Sequence, residues 1–200
     1  MKTIIISVLF TTILLISCKE KEKNEICTNF ELEDATLTDD LDYEIINTVL
    51  DSIYGDLKFI HIYQNTDSCV HIENLQERLL NHDIYIDALI LQNYKKSNDI
   101  SYTFANKFNS NNVNLLGKDE LECLFTGEDA YAKWDNYYKK YNTSSGQYTF
   151  KRPGFSTDKN KAIIEYGWMA GADIGEGYVV ILEKTDDGWE IIHYFVTWVS

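Results

Sequence analysis

The sequence predicts an α+β domain in which N-terminal helices pack on a C-terminal antiparallel meander of about four strands. Between Gln147 and Ser200 apolar residues alternate with period two in successive runs, the spacing that a pleated, half-buried strand selects. Three turn signals separate the runs: Pro153-Gly154 through Asn160, the glycine-rich Gly171–Gly177, and Asp186-Asp187-Gly188. Upstream, Leu41, Ile45, Ile46, Val49, Leu50 and Ile53 recur at helical spacing and form one apolar stripe.

Residues 1–17 do not belong to this domain. Lys2 supplies a positive charge, and the apolar run Ile4–Ile16, of 13 residues, is broken only by Ser7, Thr11 and Thr12. A membrane-spanning helix needs about 20 residues, so the run has the length of a secretory leader. Its end, Leu15-Ile16-Ser17-Cys18, resembles the lipobox of bacterial lipoproteins. That resemblance implies removal of residues 1–17 as a lipoprotein signal peptide, with Cys18 acylated as the new N-terminus. Lys19-Glu20-Lys21-Glu22-Lys23-Asn24-Glu25 follows. It has nothing to bury and reads as a solvated tether. It is similar to the charged stretch of surface-exposed lipoproteins of the Bacteroidetes group. Lys at position 19, where Asp would signal inner-membrane retention, implies the outer membrane, on its periplasmic or surface side. The chain thus divides into 1–17 (signal), 18–37 (lipidated Cys and charged tether) and 38–200 (one α+β domain, its sheet within 147–200).

Taken in order, the first helix is Leu41–Tyr54, with Thr38 or Asp39 to cap it and Gly55 to end it. Leu57–Tyr63 has the pattern of a short strand, and Glu73–Leu80 that of a helical turn or two. Ile84–Tyr94 has helical spacing, while its Ile and Tyr content also suits a strand. The Asn-rich segment 106–114 reads as a loop. A helix beginning near Gly127 or Glu128 gathers Trp134, Tyr137, Tyr138 and Tyr141 on one face. In the meander, Ala162, Ile164, Tyr166 and Trp168 share a face, as do Tyr178, Val180 and Leu182. Trp189, Ile191, His193 and Phe195 do so in the last run. Ile163, Val179, Ile181, Tyr194 and Trp198 make the opposite faces apolar too, so the sheet needs cover on both sides.

Trp134-x-x-Tyr137-Tyr138-x-Lys140-Tyr141, Arg152-Pro153-Gly154-Phe155, Gly175-x-Gly177-Tyr178, Gly188-Trp189 and Thr197-Trp198-Val199-Ser200 occur in that order. Over residues 130–200 the chain resembles a group of uncharacterised exported bacterial proteins with a Trp-rich C-terminal antiparallel sheet. The resemblance implies an α+β domain and brings no activity or site residues with it.

The formal net charge is −14 over the whole chain, and one unit more negative once Lys2 leaves with the leader. Such a surface repels phosphate backbones and argues against nucleic acid. It suits basic proteins, cations or neutral ligands. The 14 Tyr and 4 Trp serve mainly as core, and otherwise as a sugar- or protein-binding face. With Cys18 acylated, Cys27, Cys69 and Cys123 remain, enough for one disulfide, and Cys69–Cys123 joins two cysteines inside the folded part.

Chemical candidates are few. His61, His71, His82 and His193 lack metal-binding or zincin spacing. Asp173, Glu176 and Gly177 form a candidate binding loop, although two acids are too few for a Ca²⁺ site. Glu165 and Glu183 on facing strands would suit glycoside hydrolysis if they approached each other. No catalytic set, metal site or cofactor is expected. The chain reads as a lipid-anchored, extracytoplasmic binding or interaction protein, its partner a basic protein or a small ligand. The alternatives are a small envelope hydrolase using Glu165, Glu183 or His193 beside Gly171–Gly177, and a structural envelope component.

Two acyl chains anchor stably where one is marginal, each buried CH₂ contributing about 0.8 kcal/mol. Cys18→Ser should therefore move the protein from the membrane to the soluble fraction and abolish fatty-acid labelling. Unchanged membrane fractionation of the unlabelled variant would place the anchor elsewhere.

Overall fold

The computed structural model describes residues 27–54, 59–68 and 70–200. The signal and lipobox residues, the charged run, Gly55 and Cys69 lie outside them. Among the described residues there are five helices and a mixed sheet of seven strands, in the order β2-β1-β3-β5-β6-β7, with β4 pairing β5.

The α+β class holds, but the sheet is more than an antiparallel meander. Strands β3 (Gln147–Phe150), β5 (Lys161–Gly171), β6 (Ile174–Thr185) and β7 (Gly188–Val199) do pair antiparallel in that order. Strand β1 (Ile60–Tyr63) adds parallel to β3, and β2 (Val113–Leu116) adds parallel to β1. The short strand predicted over Leu57–Tyr63 is present as β1, whereas β2 takes Val113 and Asn114 from the segment 106–114 that reads as a loop, because four residues are too few to print a period. Strand β4 (Gly154–Phe155) is a two-residue addition to β5.

Helix α1 (Asp40–Tyr54) covers one face. Asp39 caps it, its Oδ1 accepting from Leu41 N at 3.1 Å. Ile45, Ile46, Val49 and Leu50 pack with Ile164, Tyr166, Val180 and Leu182. Across this face Phe150 stacks on Tyr166 and Tyr166 on Tyr178, with centroids 5.5 and 4.9 Å apart. The second face has two covers side by side. Helices α2 (Ile72–Asn81) and α3 (Ala88–Ser97) sit over Ile163, Val179, Ile181 and Phe195. Helices α4 (Lys118–Leu124) and α5 (Ala130–Lys140) form a separate cluster with Trp134 and Tyr137. Asp129 caps α5, its Oδ1 accepting from Ala132 N at 2.8 Å.

Strand β7 departs from simple alternation. Ile181 pairs with His193 and Leu182 with Ile191, so Ile192 is an extra residue in β7. A bulge of this kind exchanges the two faces of everything beyond it. Trp189 and Ile191 therefore join the α1 side, while Phe195 crosses to the α2–α3 side. Thr197 forms a second bulge, between the pairs Tyr178–Val196 and Gly177–Trp198.

The sequence predicts a Cys69–Cys123 bond; the structure instead joins Cys27 to Cys123, with Cα atoms 5.9 Å apart. The reason lies in residues 27–37, which the charge pattern groups with the tether. Gln64 accepts from Glu33 N at 2.9 Å and donates to Glu33 O at 2.7 Å. The hydroxyls of Thr36 and Thr103 lie 3.1 Å apart, and buried Leu37 bridges to Phe104. These contacts lay the segment against the domain and deliver Cys27 to α4.

Asn98, buried after α3, donates to Tyr94 O and Arg152 O, both at 2.9 Å, and accepts from Arg152 N at 2.7 Å. Two residues on, Gly154 lies so close to α3 that a Cβ there would overlap Cβ and Cα of Tyr94. Backbone cannot give way as a side-chain tip can. Gly154→Ala should cost about 3 kcal/mol and lower Tm on the order of 10 °C. An unchanged Tm in thermal unfolding would mean that α3 can shift freely.

Candidate functional site

A cleft of about 790 Å³ opens on the second face of the sheet. Its lips are the α2–α3 corner, residues 82–87, and the hairpin 156–160 between β4 and β5; β6 and β7 form its floor. Each lip turns on a residue with positive φ, Asp83 at 57° and Lys159 at 57°. The floor and wall are aliphatic, with Ile84, Ile86, Ile90 and Ile181. Tyr85 projects from the corner, 83% exposed.

Carboxylates dominate the rim. Asp87 caps α3, its Oδ1 accepting from Leu89 N at 2.9 Å. Asp158 accepts from Ser156 Oγ at 2.6 Å and from Asn160 N at 3.2 Å, bonds that hold its carboxyl below the usual range. Glu183 lies 3.6 Å from Lys161 Nζ. Asp83 and His193 line the cleft as well. Four carboxylates thus face one lysine and one histidine.

The sequence candidates are dispersed. Glu165 pairs with Val179, whereas Glu183 is four residues further along β6 and pairs with Lys161. At about 3.4 Å per residue the two carboxylates are too far apart to act as a pair. Glu183 and His193 share the cleft; Glu165 does not reach it. The glycine-rich stretch is strand and not loop: Gly171 pairs with Ile174, leaving a two-residue turn, and Gly175, Glu176 and Gly177 lie inside β6. Asp173 accepts from Tyr131 and Glu176 from Tyr178. Neither hydrolase candidates nor a wide loop gather there. Among the described residues no group of three or more His, Cys, Asp or Glu is placed to hold a metal.

Sequence spacing does not reveal the polar cluster under α5. His61 on β1 is buried, and its Nδ1 lies 2.7 Å from Ser144 Oγ and 3.0 Å from Tyr137 OH. The Tyr141 ring packs on the imidazole at 4.1 Å. A Ser–His pair invites comparison with a nucleophile and its base. Ser144, however, is also bonded to Tyr137 OH, Gly146 N and Gly146 O, which saturates its hydroxyl. Glu120, whose charge is felt at His61, is bonded to Lys140 and Tyr141 instead. The cluster is a clamp joining β1, α5 and the turn into β3. Its residues are 83 apart in sequence in the His61–Ser144 case, so only the fold discloses it.

No protein-family model, curated protein or solved structure matches the chain.

Burial pushes the His61 imidazole down to about 4, so it is neutral in the fold. A depressed pKa contributes stability above the unfolded value near 6.5, and that stability is lost as pH falls toward 4. The stability difference between the protein and His61→Gln should therefore shrink by about 3 kcal/mol from pH 7 to pH 4. Taking the difference is necessary because buried Asp42, pushed up to about 6, responds in the opposite sense. Denaturant unfolding across this range checks it; a constant difference would mean that His61 carries no proton-linked stability.

Proposed function

We propose that this protein is a lipid-anchored, extracytoplasmic binding module that receives a basic group of its partner in the cleft between the α2–α3 corner and the 156–160 hairpin. The observation that carries the reading is a preformed recess of about 790 Å³ in which four carboxylates ring an isoleucine floor. Pockets of this size suit a side chain or a short segment. A Lys or Arg head would meet Asp83, Asp158 and Glu183, while its aliphatic stem would lie on Ile84 and Ile181. The net charge of −14 extends the same preference over long range. The lipobox resemblance supports the anchor, and no described helix is long and apolar enough to cross a membrane.

The hydrolase reading keeps one supporting observation, the common presence of Glu183 and His193 in this cleft. Against it stand the Glu183–Lys161 pair and the distance of Glu165.

The probe is a short peptide of alternating Lys and Ile, titrated calorimetrically and by surface plasmon resonance. Asp83→Asn with Glu183→Gln should weaken binding about tenfold. Raising salt from about 0.05 to 0.5 M should do the same, mainly through the association rate, because screening shortens to ~8 Å near physiological ionic strength. Salt-independent affinity, or full affinity in the double variant, would overturn the cleft as a basic-group site. Turnover of an envelope glycan or peptide, lost in Glu183→Gln with Tm unchanged, would replace binding by hydrolysis.

A further inference from the structure

Between the two helical covers of the second face runs a strip of small residues. Thr149 pairs with Gly167, Gly167 with Gly177, and Gly177 with Trp198, a single row across β3, β5, β6 and β7. A Cβ at Gly177 would overlap Nε1, Cδ1 and Cε2 of Trp198, and one at Gly167 would stand 3.2 Å from its Cζ2. The indole therefore folds back from β7 along the sheet surface and spans both glycines. One ring face rests on backbone. The residue is still 42% exposed, so the other face is open.

Polar groups flank this platform, and their geometry is fixed. Glu165 Oε1 accepts from buried Tyr94 OH at 2.9 Å, and Oε2 lies 3.7 Å from Lys151 Nζ. Lys151 Nζ in turn lies 3.5 Å from Asp67 Oδ2. On the other flank Arg78 donates to Thr197 O, in the bulge beside the indole, and Asn74 lines the same recess. The two recesses, about 110 and 230 Å³, share Lys151, Glu165, Thr197 and Trp198.

We propose that this groove is a second binding site, for a pyranose unit of a neutral glycan. An open indole face takes the apolar C–H face of a sugar ring, as it does other flat apolar partners. The alternating carboxylate, ammonium and amide groups match hydroxyls that both donate and accept. Asp67 and Glu165 balance Lys151 and Arg78, so the site favours neither sign of charge, unlike the acidic cleft. Both recesses lie below the ~300–1,000 Å³ that holds a drug-sized ligand, which fits one or two sugar units and no large cofactor. The side chains are pre-positioned by Tyr94 and the Lys151 pairs, so little ordering accompanies binding.

The site is distinct from the acidic cleft, and the two fail separately. The test titrates the full chain with maltohexaose, cellohexaose, mannohexaose, xylohexaose and, as an acidic contrast, hexagalacturonate, followed by indole fluorescence and calorimetry. At least one neutral oligosaccharide should bind, with affinity reduced tenfold or more in Trp198→Ala and severalfold in Asn74→Ala, an exposed position whose change leaves the fold intact. Asp83→Asn with Glu183→Gln should leave sugar binding unaltered. No binding of any neutral probe up to millimolar concentration overturns the proposal. So does full affinity in Asn74→Ala together with Trp198→Ala, or preference for hexagalacturonate over every neutral probe.

Discussion

The structure depends on one junction, the contacts of Arg152. Its backbone N–H and C=O are both bound by the side chain of Asn98. Its guanidinium passes over the Tyr102 ring at 4.4 Å and donates through Nε to Asp42 Oδ2 at 2.7 Å. Asn98 follows α3 on one face of the sheet, and Asp42 belongs to α1 on the other. A single residue in the β3–β4 connector thus fixes both covers to the same point. Asp42 is 1% exposed, and burial raises its carboxyl to about 6 despite the arginine. Desolvation therefore outweighs what the ion pair contributes to the charged carboxylate, and the main effect of the pair is to set position. Removing either partner alone would strand the other in a poorly hydrated place. Pro153 and Gly154 follow at once, and the missing side chain at Gly154 allows α3 to close on β4.

Both recesses with chemical content arise where cover on the second face stops. The α2–α3 pair ends at the corner 82–87, short of the 156–160 hairpin, and the cleft is that gap. The α5 layer reaches β5 through Tyr138, which donates to Ala170 O at 3.0 Å, while Tyr94 of α3 reaches Glu165. Gly167 lies between these two points of contact, and the indole of Trp198 occupies the strip that neither layer covers. The two sites differ in charge because their walls do: in the first, Asp83, Asp87, Asp158 and Glu183 face one lysine and one histidine, whereas in the second Asp67 and Glu165 are matched by Lys151 and Arg78.

The long strands were legible because period two persists over a dozen residues, and α1 because its stripe faces one side throughout. Strand β7 was legible as a strand but not in its facing. A single extra residue at Ile192 reverses the alternation beyond it, and nothing in Ile191-Ile192-His193 marks the change. Strands β1 and β2 join through parallel pairing between segments about fifty residues apart, which no local pattern encodes. Gly175 and Gly177 suggest a turn by composition; in the fold both lie within β6, and Gly177 is part of the floor under Trp198. Of the cleft, Glu183 and His193 stood out as ionisable strand residues, whereas Asp83 and Asp158 belong to loops whose approach depends on the whole sheet.

The Cys27–Cys123 bond decides where a pull on the N-terminus is felt. Only eight residues separate Cys18 from Cys27, so a chain held at Cys18 is leashed within about 30 Å of its attachment. Tension along that leash enters the domain at Cys123 on α4 and does not peel residues 27–37 away from Gln64 and Thr103. With the disulfide reduced, the same load falls on those hydrogen bonds, which can open one at a time. The segment then becomes extra leash, and under the proposed anchoring at Cys18 the sheet would stand further from the membrane. Thiol state in this chain is therefore a determinant of reach as much as of stability.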